Sequence, residues 1–146
     1  MWKLPVNYLC PLILMMVSPL PAWALCCPSV GQKPARSGIG EVQPSSADLS
    51  LDRRWKVHAF ERDAVNYFQV ADNTDSTLFI LGKSGNVFWV LPAGPVDTQI
   101  SLPSDERRPR VAEGSVEIYR DQEFKLLVSG NDQSPVWMVE YVTDAL

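Results

Sequence analysis

The chain has 146 residues, 46% of them hydrophobic and 21% charged, with 13 Lys+Arg against 17 Asp+Glu. Those figures describe one ordinary globular domain at most and exclude collagen-like, mucin-like and wholly disordered proteins. A formal net charge of −4 without a dominant Lys/Arg stripe argues against nucleic acid and anionic lipid as partners, because both demand clustered cations.

Residues 1–24 read as a secretory leader. Met1, Trp2 and Lys3 make a short basic start, an apolar stretch runs from Tyr8 to Val17, and Pro19 and Pro21 break any helix. Ala22, Trp23 and Ala24 then supply the small-x-small spacing that a signal peptidase reads. The apolar stretch is well short of the ~20 residues that span a bilayer, so cleavage after Ala24 is expected, with no transmembrane segment left behind. A periplasmic or secreted protein follows, more acidic than the whole chain because Lys3 is lost.

Cys26 and Cys27 sit just past that cut, while Cys10 leaves with the leader. Adjacent cysteines cannot bridge distant parts of one chain, so the fold must stand on its apolar core. The pair suits lipidation or an intermolecular disulfide. The lipid-anchored form is the minority reading, since Leu25 before Cys26 and Trp23 at the outer position fit a lipoprotein site poorly. From residue 25 to 52 the composition turns to Pro, Ser and Gly with no apolar period, which predicts a flexible tether.

An all-β domain is expected from Arg53 to Leu146. Trp55, Val57 and Ala59 alternate with Lys56, His58 and Phe60, and a second run from Val65 to Ala71 follows the link Glu61–Ala64. Thr77–Leu81 and Asn86–Leu91 form another pair across Gly82, Lys83, Ser84 and Gly85; both are apolar nearly throughout and so are expected to be covered on both faces. Alternation returns in Val96–Leu102, Val116–Tyr119 and Phe124–Val128, and a last run spans Val136–Val142. About seven or eight short strands at this spacing predict a small antiparallel β-sandwich or barrel. Sliding the chain by 58 residues superposes Arg62 and Asp63 on Arg120 and Asp121, Val70 on Val128, Asn73 on Asn131 and Ser76 on Ser134, a faint echo of one hairpin in another.

The residues that carry chemistry are sparse. His58 is the only histidine; on a strand beside Lys56 it is expected to face solvent, with no local sign of a nucleophile and an orienting carboxylate. With Cys26, Cys27 and His58 as the only soft or borderline ligands after cleavage, no metal and no cofactor is expected. Gly82-Lys83-Ser84 resembles the end of a P-loop, but Thr77 stands where the motif needs Gly, and the context is strand-turn-strand. It reads as a hairpin tip.

Arg107, Arg108 and Arg110 lie on the long loop from Pro103 to Gly114, where β scaffolds concentrate binding residues. Trp55, Tyr67, Trp89, Trp137 and Tyr141 are a heavy aromatic load for so small a core, and aromatics with Arg make binding hot spots. Arg107, Arg108, Arg110, Trp137 and Tyr141 are therefore the candidate protein-binding residues. The functional expectation is an exported, non-enzymatic module that binds another exported or envelope protein, as an inhibitor or immunity-type protein. An accessory part of a secretion or conjugation assembly and a small hydrolase using a carboxylate pair stand as alternatives. Edge strands can also pair with a second copy, giving a homodimer.

Overall fold

A computed structural model describes residues 34–35, 38–94, 98–107, 112–131 and 133–143. The leader and both cysteines that follow it lie outside the described residues, as do Arg108 and Arg110.

Eight strands follow one another: β1 Trp55–Arg62, β2 Val65–Asp72, β3 Thr77–Ser84, β4 Val87–Pro92, β5 Gln99–Ser101, β6 Val116–Arg120, β7 Phe124–Asn131 and β8 Ser134–Tyr141. They form two four-stranded sheets, in the orders β1-β2-β3-β4 and β5-β8-β7-β6. No helix occurs among the described residues, and none is long and apolar enough to cross a membrane. The class is all-β, and the two sheets do not close into a barrel.

Tight turns set the registers. Asp63 and Ala64, with φ of 53° and 61°, join β1 to β2 across the closing pair Arg62 and Val65, because two successive positive φ values match the right-handed twist of the flanking strands. The turn after β3 is Gly85-Asn86, with φ 54° at Gly85. That turn needs a glycine first, so Gly82, Lys83 and Ser84 belong to β3 and are not the hairpin tip. Lys83 is buried on the inner face, and its Nζ donates to Glu123 Oε2 at 2.7 Å, tying β3 to the β6–β7 turn of the other sheet.

The core lies between the sheets. Trp55, Val57, Phe68, Val70, Phe79, Leu81 and Phe88 from the first sheet meet Ile118, Phe124, Leu126, Trp137 and Val139 from the second. Rings cross the gap edge to face: Trp55 on Trp137 at 4.8 Å, Phe68 on Phe124 at 5.0 Å, Phe88 on Phe124 at 5.3 Å. Such contacts add to the burial of apolar area that drives the packing.

Further expectations are corrected. β5 runs parallel to β8, so the sandwich is not wholly antiparallel; the chain reaches β5 from the far edge of the other sheet, free of the reversal a hairpin imposes. The strand is also short, leaving Thr98 and Leu102 outside it, while Val96 lies outside the described residues. β4 is an edge strand with one face open, not a strand covered twice.

The tether is corrected as well. Its described part from residue 38 onward is packed on the domain. Leu49 is in the core, its N–H donates to Val57 O at 2.8 Å, and Leu51 N–H donates to Ile118 O at 2.8 Å. Residues 48–51 therefore staple β1 of one sheet to β6 of the other. Asp48 Oδ1 accepts the N–H groups of Ser50 and Val57, both at 2.9 Å, which fixes the bend.

The 58-residue echo falls on corresponding places in two meanders, β1-β2-β3 and β6-β7-β8. The matched residues do different work there. Asp63 turns the chain through a positive φ, whereas the Asp121 carboxylate accepts from the N–H groups of Glu123 and Phe124, both at 2.8 Å.

Candidate interaction surface

The outer face of the first sheet is covered over most of its width and open along the β4 edge. Over β1 and β2 it is roofed by residues 38–46. Gln69 is fully buried there, accepting from Gly40 N–H at 2.8 Å and donating to Glu41 O at 2.8 Å and Thr77 Oγ1 at 3.0 Å. His58, expected to face solvent, is buried under the same roof, its Nδ1 against Ser46 O at 2.9 Å. At the roof's edge the Lys56 ammonium donates to Asp75. That hydrogen bond holds Asp75 below the usual carboxylate range and raises Lys56 above its ordinary value.

Over β4 the face is open, whereas β3, as expected, is buried on both faces from Phe79 to Lys83. Alternation along β4 turns Phe88 inward, onto Phe124 and Tyr141, and turns Val87, Trp89 and Leu91 outward. Val87 is 64% and Leu91 43% exposed. Trp89 folds back across the sheet: a Cβ added at Gly82 would sit 2.2 Å from its Cε2, and Tyr67 meets it edge-on at 6.3 Å. Gly82 is thus the floor that lets the indole lie flat, and Trp89 supplies the cover that a strand glycine lacks.

Among the described residues no strand pairs with the outer backbone edge of β4. With Ser84 and Val87 closing a two-residue hairpin, the N–H and C=O groups of Val87, Trp89 and Leu91 are spent on β3, and those of Phe88 and Val90 point away. Tyr141, 42% exposed, stands at the end of this edge and donates its hydroxyl to Asn86 O at 2.7 Å. No residue from Asn86 to Pro92 is charged. Native edges are ordinarily blunted by charge, by bulges or by proline; here Pro92 at the far end is the only such device.

Among the residues expected to bind, Tyr141 joins this surface. Trp137 does not: it is 0% exposed, at the centre of the core between Trp55 and Phe79, and cannot touch a partner. Its place on the inner face of a central strand makes it core. Arg107 is exposed on the β5–β6 loop; Arg108 and Arg110 lie outside the described residues. Val87 and Leu91 were missed. The available signal was a strand without charge directly after a two-residue turn.

The opposite end of the sandwich carries a cleft of about 350 Å³ where Trp55 and Leu78 meet Gln99, Gln133 and Val136. Asp72 at its rim is already engaged. Burial works to raise its carboxyl, but the Thr74 hydroxyl and the Ser76 and Thr74 amides outweigh that and hold it below the usual range. Among the described residues no cluster of His, Cys, Asp and Glu is placed to hold a metal ion.

Comparison with known proteins leaves the site to its geometry. No protein-family model, curated protein or solved structure matches the chain.

Proposed function

We propose that the chain is an exported, non-enzymatic protein-binding module of the inhibitor or immunity type, and that its open β4 edge receives the partner, another exported or envelope protein. The observation that carries this reading is an uncharged edge strand with Val87 and Leu91 exposed on one face and Tyr141 beside it. A partner's extended segment can add to such an edge by main-chain hydrogen bonds, with Val87, Leu91 and Tyr141 offering apolar contact. The leader-like residues 1–24 support export, and the aromatic anchors support binding.

Affinity capture of the tagged protein from its native extract, with crosslinking, tests the proposal. One stoichiometric exported enzyme is expected with the wild type and its loss with Val87→Lys/Leu91→Lys, a pair of exposed changes that spare the core. Recovery of several envelope proteins would favour the assembly role. An empty eluate from the folded wild type overturns the binding reading.

A further inference from the structure

We propose that in the absence of its partner the β4 edge pairs with the β4 edge of a second copy, so that the free protein is a two-fold dimer which partner binding must displace. This rests on β4 being the interaction strand.

The backbone arithmetic of β4 is self-complementary about Trp89. Phe88 and Val90 carry the outward N–H and C=O groups. In an antiparallel pairing centred on Trp89, Phe88 faces Val90 of the second copy and Val90 faces its Phe88, so each pair exchanges both backbone hydrogen bonds. The same two-fold sets Pro92 opposite Asn86. Pro92 has no N–H to give, and the Asn86 carbonyl already accepts the Tyr141 hydroxyl at 2.7 Å, so the one missing donor meets the one carbonyl that is already partnered.

Side chains agree with this register. On the outer face Val87 stands opposite Leu91 of the second copy, apolar against apolar, and β4 carries no charge to repel its own image. On the axis Trp89 faces Trp89, and each indole leans away over Gly82 toward Tyr67, so the strands can approach. The pairing is isologous and therefore closes at two copies. It also removes the aggregation hazard of a bare apolar edge. One strand pair buries less than the roughly 1,200–2,000 Å² of a stable interface, so the dimer dissociates on dilution and leaves the edge to a better partner.

Sedimentation velocity on the purified protein across about 1–100 μM should show a reversible monomer–dimer equilibrium. Val87→Lys/Leu91→Lys puts Lys opposite Lys at both outer pairs and should raise the dimer dissociation constant more than about tenfold. Val87→Lys/Leu91→Glu puts Lys opposite Glu and should stay within about threefold of wild type. A wild type that is monomeric throughout, or two variants that behave alike, overturns the proposal. Should either variant fail to fold, amide exchange in the wild type decides it: Phe88 and Val90 must become protected as concentration rises, and concentration-independent exchange overturns it. A monomer that still captures a partner sinks the dimer alone. A dimer whose captured partner ignores Val87→Lys/Leu91→Lys sinks the proposed binding surface alone.

Discussion

Gln69 does with a side chain what a neighbouring strand does with its backbone. Its amide oxygen takes Gly40 N–H, and its two amide hydrogens reach Glu41 O and Thr77 Oγ1, so a fully buried polar group is satisfied and the roof segment is pinned at one point. Gln69→Leu fills a similar volume but orphans Gly40 N–H and Glu41 O, which should cost about 2–3 kcal/mol. Gln69→Glu should be worse, because a carboxylate would face the Glu41 carbonyl with no hydrogen to offer. Denaturant midpoints for the three proteins, with unchanged m-values, check the order; a Glu variant as stable as the wild type would contradict it.

At the scale of elements, the residue 48–51 staple replaces the strand pairing that a closed barrel would have between β1 and β6. Leu49→Ala should lower stability by about 2–4 kcal/mol, the usual result of emptying a packed leucine site. A chain begun at Arg53 should melt well below one begun at Gly38. Equal midpoints would mean that the segment lies on the domain without supporting it. The sequence made most strands legible, since the alternation around Val57, Phe68 and Leu126 and the Gly85 turn are local signals. It hid the staple, because two leucines two residues apart among polar and small residues show no sustained period, and their backbone partners, Val57 for Leu49 and Ile118 for Leu51, lie in strands of different sheets. The parallel β5 was hidden for the same reason. Trp137 and Tyr141 looked alike in sequence because both face inward on β8; only their distance from the strand end separates a buried ring from a half-exposed one.

Over the whole molecule, the acidic groups of the β2–β3 turn and of the turn before β1, together with Lys56, make stability depend on pH from both sides. Asp72, Asp75 and Asp52 sit below their ordinary values, the last through the Arg54 side chain that donates to it. A carboxyl lowered in the folded state stabilises fully above its unfolded value, and that contribution drains as pH falls through the folded one. Lys56 is raised by the Asp75 hydrogen bond, so its contribution is complete below its unfolded value and is lost as pH rises through the folded one. Melting temperatures should hence form a plateau through neutral pH, with an acid limb beginning below about pH 4 and an alkaline limb above about pH 10. Lys56→Met should shallow the alkaline limb and also the acid limb, because Asp75 loses the cation that lowers it. Asp72→Asn should shallow chiefly the acid limb, since its hydrogen-bond partners are the hydroxyl and amides of Thr74 and Ser76, and should touch the alkaline limb only slightly, through its charge near Lys56. An alkaline limb unchanged by Lys56→Met would mean that other groups, and not this pair, set the upper boundary.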